Sequence, residues 1–167
     1  MSILRINISK LSEGAHQHSL QVAPGEIGLD SRFTREVSVE AALESTSRQL
    51  YVQAEFKTGG VFTCDRCLEE FEREVSSKFG IVYVAEGRAE VIEDEDMRVL
   101  SPDTNYIDLD EDVRQYAILA LPQKTLCIED CAGLCPTCGT NLNRARCECR
   151  NEAVDSPLSG LQKLTKN

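Results

Sequence analysis

Several features that mark common protein classes are missing from this sequence. Its 167 residues include no Trp, and 28 acidic residues outnumber the 18 Lys and Arg. Without an excess of positive charge, the chain is not one that holds nucleic acid by bulk charge. The longest apolar run, Tyr116 to Leu121, has six residues, whereas a membrane-spanning helix needs about twenty. Residues 1–10 contain no apolar signal-peptide core, so we expect a cytoplasmic protein that does not act at a membrane.

Motifs of the common enzyme classes are also missing. The sequence contains no phosphate-binding Walker loop, no dinucleotide fingerprint, no HExxH metalloprotease motif and no nucleophile elbow. We therefore expect a protein that is not an enzyme and has no small-molecule substrate.

The negative charge is concentrated in one segment. The formal net charge is −10, and residues 86–112 contain eleven acidic residues against two arginines, Arg88 and Arg98. That segment carries −9 and the rest of the chain only −1. The acidity is therefore local, and it either forms a solvated loop or docks a basic partner.

Hydrophobic periodicity predicts an α+β protein, mainly antiparallel β, with one or two helices and a C-terminal cysteine-rich zinc module. We expect an antiparallel β region over residues 1–85, in which Gly59-Gly60 separate two strand patterns. His16 and His18 could bind a metal but are more typical of an exposed turn. An acidic loop follows over 86–107, then a helix over 108–122 with Asp108 and Glu111 as a capping box. A zinc-ribbon-like module (123–152) and a tail with a short helix starting near Ser156 (153–167) complete the chain.

The sequence is rich in cysteine, and the spacing of its eight cysteines indicates metal binding. Cys64 and Cys67 form a CxxC knuckle between two predicted strands, and the other six lie between Cys127 and Cys149. In a reducing cytosol such spacing favours metal over disulfides. In the Cys135-Pro136-Thr137-Cys138-Gly139 turn, two thiolates converge while backbone N–H groups point at the sulfurs. Glycine at the last position permits the left-handed backbone that such a turn requires.

Eight cysteines can fill two structural zinc sites with four thiolates each. Short loop closure favours one site made of Cys135, Cys138, Cys147 and Cys149. The second would then contain Cys64, Cys67, Cys127 and Cys131 and would tie the β region to the C-terminal module. Both CxxC knuckles on one metal, a single metal with spectator thiols, and an iron–sulfur centre remain alternatives.

Three arginines interleave with the last cysteines of this segment. Arg144, Arg146 and Arg150 form a small basic group that could contact RNA phosphates or could be ordinary surface.

The cysteine motifs resemble those of the YceD family, the large ribosomal RNA subunit accumulation proteins. The resemblance covers roughly residues 50–165. It includes the Cys64–Glu69 knuckle with Phe71, Leu119–Pro122 leading to Leu126-Cys127, the run from Cys131 to Asn143, Cys147 and Cys149, and the tail around Asp155, Pro157, Leu158, Leu161 and Leu164.

This resemblance implies a ribosome-biogenesis factor needed for accumulation of large-subunit ribosomal RNA. Its partners would be a ribosomal RNA precursor or large-subunit ribosomal proteins. Some relatives lack the C-terminal cysteines, which suggests that the metal builds a platform and is not itself the activity. Two other functions fit the residues: a zinc-dependent protein-interaction module without a ribosomal role, and a thiol redox protein.

Overall fold

A computed structural model of the protein describes residues 2–86 and 97–149. The elements follow the chain in this order: β1 (Arg5–Asn7), β2 (Gly14–Val22), a 3-10 helix (Pro24–Ile27), β3 (Val37–Ser45), β4 (Gln49–Thr63), β5 (Glu70–Ala85), β6 (Met97–Leu100), β7 (Tyr106–Asp108) and α1 (Asp110–Leu119). The predicted α+β class, with a mainly antiparallel sheet and a C-terminal cysteine-rich segment, is confirmed. No helix among these residues has the length and apolar character to cross a membrane.

The strands form one large sheet and one small one. The large sheet has the order β2-β3-β4-β5-β6, in which only β5 and β6 run parallel, and β1 pairs with β7 in the small sheet. Strands β4 and β5 have 15 and 16 residues and pair without interruption from Gln49↔Val84 to Thr63↔Glu70. A strand of that length extends about 50 Å. The hairpin therefore holds the loop with Cys64 and Cys67 far from the end where β6 joins the sheet.

The core lies on one face of the large sheet, where period-two alternation directs the apolar side chains. Helix α1 covers part of this face, and the ring of Tyr116 stacks on Phe79 of β5 with centroids 4.7 Å apart. The fully buried members include Leu4, Ile6, Val37, Val39, Leu43, Val52, Ala54, Phe56, Leu109, Val113 and Ala117. The alternation of β3 and β4 and the helix face containing Val113 and Ala117 agree with the sequence pattern.

Gly59 and Gly60 lie inside β4 and do not form a turn. The segment before β3 crosses this point, and Val61 N donates to the carbonyl of Arg32 at 2.9 Å. A Cβ atom added to Gly60 would lie 1.9 Å from that carbonyl oxygen. The glycine is therefore needed for close approach of two backbones, not for a change of chain direction.

The histidine pair was expected in an exposed turn, and this prediction was wrong. His16 and His18 lie in the middle of β2, opposite Leu43 and Ala41 of β3, and their side chains are half-buried. The pattern was misread because β2 is an edge strand with few large apolar residues on its core side.

The start of the helix also differs from the prediction. The residue that caps α1 is Leu109, without a side-chain hydrogen bond, and Asp108 accepts the N–H of Asp110 instead. Glu111 pairs with Arg114 and so does not complete a capping box. The helix ends at Leu119, three residues before Pro122.

Part of the segment expected to be an acidic loop is ordered in sheets. Met97–Leu100 form β6, and Tyr106 begins β7. Arg98 of β6 forms a bidentate ion pair with Asp112 of α1, and the side chain of Asp112 is buried. The acidic residues between 87 and 96 lie outside the described residues, as does the predicted tail helix near Ser156.

Candidate metal centres

Cys64, Cys67, Cys127 and Cys131 come together where the β4–β5 loop meets the chain that follows α1. We call this group the hairpin cluster. Its four sulfurs lie within 4.8 Å of one another, with 3.7 Å between Cys64 Sγ and Cys131 Sγ and 3.6 Å between Cys67 Sγ and Cys127 Sγ. Cys64, Cys67 and Cys131 are buried, and the side chains of Phe71, Leu126 and Leu134 pack around them.

Backbone hydrogen bonds shape this cluster from both sides. Leu68 N donates to Cys64 O at 2.9 Å, closing the knuckle, and Leu68 takes a left-handed backbone with φ +60°. Asp65 and Thr125 exchange two hydrogen bonds, Asp65 N to Thr125 O at 2.8 Å and Thr125 N to Asp65 Oδ2 at 2.6 Å. The hairpin and the later segment are thus aligned by bonds that do not involve the sulfurs.

Cys135, Cys138, Cys147 and Cys149 form the second group, which we call the ribbon cluster. These four sulfurs also lie within 4.8 Å of one another. Gly139 N donates to Cys135 O at 2.9 Å, and Cys135 N donates to Thr140 O at 2.8 Å. Gly139 has φ +74°, so the left-handed position expected after the CPxC knuckle is confirmed.

The two clusters are in contact through Asn143 and Arg66. Asn143 lies in the loop between the two halves of the ribbon cluster, yet its Nδ2 donates to Cys131 Sγ of the hairpin cluster at 3.2 Å. Its Oδ1 accepts the N–H of Ala132 at 2.7 Å, which fixes the orientation of the amide. Arg66 donates to Cys131 O at 2.8 Å and accepts from Leu134 N at 3.1 Å.

Thiolate formation is unequal within the hairpin cluster. Burial raises the pKa of the Cys64 thiol, but the backbone N–H groups of Cys67, Cys127 and Arg66 outweigh it and lower that pKa to about 6. Burial and the sulfurs of Cys67 and Cys64 raise the pKa of Cys127 to about 12. One thiolate therefore makes ionisation of its neighbour costly, because like charges would lie in contact.

The ribbon cluster has the same division. Hydrogen bonds from Thr140, first its hydroxyl and then its backbone, lower the pKa of Cys138 to about 6. The neighbouring Cys138 sulfur is the main cause that raises the pKa of Cys149 to about 12. A bound divalent cation would supply the positive charge that allows all four sulfurs to ionise together.

The donor set fits a tetrahedral metal ion. A zinc–sulfur bond of about 2.3 Å places the sulfurs of a regular tetrahedron roughly 3.8 Å apart. The 3.6 and 3.7 Å separations in the hairpin cluster are close to that value and far from the ~2.05 Å of a disulfide. Two clusters of four cysteines can therefore hold metal ions, grouped as short loop closure favours.

The basic group is only partly described. Arg144 is exposed and pairs with Glu69 at 2.8 Å, and Arg146 is exposed near Cys147. Arg150 lies outside the described residues. RNA contact by these three arginines stays a prediction.

Sequence reasoning missed the polar residues around the sulfurs. Thr140 contacts Cys138 Sγ at 3.1 Å, and Asn143 contacts Cys131 Sγ. The signal available was Thr140-Asn141-x-Asn143 directly after a CPxCG turn, since short polar side chains beside thiolates commonly donate to them.

Comparison with known proteins agrees with the cysteine motifs. The family model described as large ribosomal RNA subunit accumulation protein YceD matches residues 52–165, which is more than half of the chain. The chain belongs to the YceD family. Both clusters lie inside the matched range, so the resemblance expected from the sequence is confirmed.

One relative in the YceD family is the Arabidopsis thaliana protein named "Large ribosomal RNA subunit accumulation protein YCED homolog 1, chloroplastic". It is 32% identical over 71 residues, which cover 41% of this chain and 22% of the plant protein. The match thus spans about a fifth of that relative's length. No solved structure matched this YceD family chain.

Proposed function

We propose that this chain is a non-enzymatic ribosome-biogenesis factor that supports accumulation of large-subunit ribosomal RNA. The observation that carries the proposal is the YceD family match over residues 52–165, a family named for this role. The Arabidopsis relative has the same role in its printed name. We propose that the chain acts in the cytoplasm on a ribosomal RNA precursor or a large-subunit ribosomal protein.

Zinc is the metal that we propose for both clusters. Cys64, Cys67, Cys127 and Cys131 would hold one ion, and Cys135, Cys138, Cys147 and Cys149 the other. Four thiolates leave no open position for water, which suits a structural ion better than a catalytic one. A structural zinc contributes about 10–16 kcal/mol of apparent binding free energy at neutral pH. That exceeds what the few buried side chains of the C-terminal module provide, so metal would create the platform.

We propose that the RNA contact is small and lies on the zinc module. Arg144 and Arg146 would bind phosphates together with Arg150. Both side chains of the ion pair between Arg144 and Glu69 are accessible to solvent, so the pair contributes about 1 kcal/mol or less to stability. A phosphate could therefore replace the Glu69 carboxylate as the partner of Arg144.

The acidic segment would not oppose this contact where the structure describes it. Its strand β6 pairs with Val82–Ala85, whereas the knuckle follows Thr63↔Glu70 at the other end of the same hairpin. About twelve strand residues separate them, or roughly 40 Å. Charges interact weakly beyond a Debye length of about 8 Å in physiological salt. We propose that the described acids at that end hold a basic protein or keep that end away from RNA.

Depletion of the protein from growing cells tests the proposed function. The ratio of large-subunit to small-subunit ribosomal RNA should fall, and wild-type protein should restore it. A variant with Arg144→Ala and Arg146→Ala should restore it only partly while remaining folded, whereas the control Arg48→Ala, an arginine outside the zinc module, should restore it fully. An unchanged ratio after depletion would contradict the function. Full rescue by the double variant would contradict only the arginine contact.

A further inference from the structure

The outer edge of the large sheet is a nine-residue strand with no second neighbour among residues 2–86 and 97–149. Strand β2 pairs with β3 over its whole length, from Gly14↔Ser45 to Val22↔Val37. Its other side presents backbone N–H and C=O groups along about 30 Å. Within the described residues, no backbone hydrogen bond other than those to β3 involves β2.

This edge lacks the devices that usually prevent strands of different molecules from pairing. Natural edge strands are short, charged, bulged or interrupted by proline. Gly14–Val22 contains no charged residue and no proline, and its register with β3 is continuous, without a bulge. By contrast, the opposite edge is formed by the four-residue β6 next to Val82–Ala85 and by the rest of β5, and it carries charged residues, including Arg98, Arg73 and Lys78.

We propose that β2 pairs antiparallel with β2 of a second copy of this chain, which joins two five-stranded sheets into one of ten strands. A two-fold axis at His18, the central residue of the strand, brings complementary residues opposite one another. His16 faces Leu20 of the other copy, and Gln17 faces Ser19. This register forms about eight to ten backbone hydrogen bonds.

Charge favours a second copy over a basic peptide at this edge. Strand β2 offers no carboxylate to a basic peptide along its length. Glu13 only precedes its first residue, and Glu40 and Glu44 lie one strand further in. Ser19 already donates to Glu40 at 2.7 Å. In the dimer the backbones of the two Glu40 residues lie three strand spacings apart, about 14 Å, because the two copies of β2 stand between the two β3 strands. Self-pairing therefore places no like charges directly opposite each other, since β2 itself contains no charged residue.

Self-pairing would also extend the core side of the sheet. Leu20 packs against the core but is only half-buried, and the partner's His16 would cover it. This dimer concerns the β region and does not depend on the proposed function or on the metal sites.

Sedimentation equilibrium of the full chain at several protein concentrations tests the proposal. The wild type should form a dimer. Gln17→Lys with Ser19→Lys places two lysine pairs directly opposite each other across the axis, and like charges there are destabilising. The dissociation constant should rise about tenfold or more.

Gln53→Lys with Gln49→Lys is the matched control. Gln53 lies in the same row as Gln17, through Ala42 of β3, but two strands in from the edge. Both control positions are exposed, and the control adds the same charge. It should leave the dimer intact. Circular dichroism confirms that both variants are folded.

Hydrogen exchange gives a second readout that needs no variant. Amides of Gly14–Val22 should become more protected as protein concentration rises. A monomer at all concentrations would overturn the proposal, as would equal weakening by both lysine pairs or concentration-dependent protection confined to another strand.

Discussion

Asn143→Ala should weaken metal binding at the hairpin cluster while leaving the ribbon cluster nearly unchanged. The Asn143 side chain lies in the ribbon loop, but its Nδ2 donates to Cys131 Sγ at 3.2 Å. Alanine removes that donor and also the Oδ1 that accepts from Ala132 N. Cys131 is buried, so water replaces the lost donor poorly.

The size of the effect follows from the charge of the acceptor. A hydrogen bond to an ionised group contributes about 1.5–3 kcal/mol. The Asn143 residue is largely exposed, which places the contribution near the lower limit. About 1.5 kcal/mol corresponds to roughly a tenfold change in dissociation constant, within the usual range for residues that support metal ligands.

Thr140→Val is the reciprocal control. It keeps the shape of the side chain and removes the hydroxyl that contacts Cys138 Sγ at 3.1 Å. This variant should weaken the ribbon cluster several-fold and spare the hairpin cluster. Zinc competition titrations against a chromophoric chelator resolve the two binding steps. Equal affinities of Asn143→Ala and wild type at both steps would refute the reasoning, as would equal weakening of both steps by either variant.

Three further substitutions test the backbone and the buried ion pair by thermal unfolding. Gly139→Ala meets no atom within 4 Å but must adopt φ +74°, so it should lower the free energy of unfolding by about 1 kcal/mol. The control Gly25→Ala is equally free of contacts and should lower it by less than about 0.5 kcal/mol. Equal effects of the two variants would contradict the role of the left-handed turn. Gly60→Ala forces the Arg32 carbonyl to move and should lower the free energy of unfolding by about 3 kcal/mol or more. A loss below about 1 kcal/mol would show that the backbones at Gly60 and Arg32 are not in such close contact. Arg98→Met leaves the carboxylate of Asp112 buried without its partner. Because the arginine is itself half-exposed, the free energy of unfolding should fall by about 2–3 kcal/mol. Adding Asp112→Asn should recover part of that loss, and no recovery would argue against an unpaired charge as the cause.

The parts of the fold that could be predicted from sequence are those with a strong local signal. The alternation in β3 could be predicted because Val37, Val39, Ala41 and Leu43 are buried while the residues that alternate with them are more exposed. Gly139 was readable because only glycine adopts a left-handed backbone without cost.

Leu68 occupies the equivalent place in the other knuckle at φ +60° and is 65% exposed. Nothing in a leucine indicates that conformation. The knuckle closure through Leu68 N and Cys64 O imposes it, and this requires the folded cluster.

Long-range arrangement was harder to predict than local structure. The two-residue periodicity of β2 predicts which of its faces is buried. It does not predict that β2 lies at the edge of the sheet, where most of the side chains on the core face are only half-buried. Strand β6 was missed because four residues next to an acidic run have too weak a pattern, and its parallel pairing with β5 supplies the stabilisation. Arg66 and Asn143 join the clusters only through the fold, since 77 positions separate them along the chain.

Native mass spectrometry of freshly purified protein, combined with elemental analysis, tests the two-centre account most directly. The account predicts two zinc ions per chain and eight cysteines that resist alkylation until a chelator removes the metal. Cys138→Ser should retain one ion and Cys67→Ser the other, because each cluster closes with its own four sulfurs. One metal per chain, loss of both ions from either variant, or a chain whose cysteines are linked as disulfides would contradict the account.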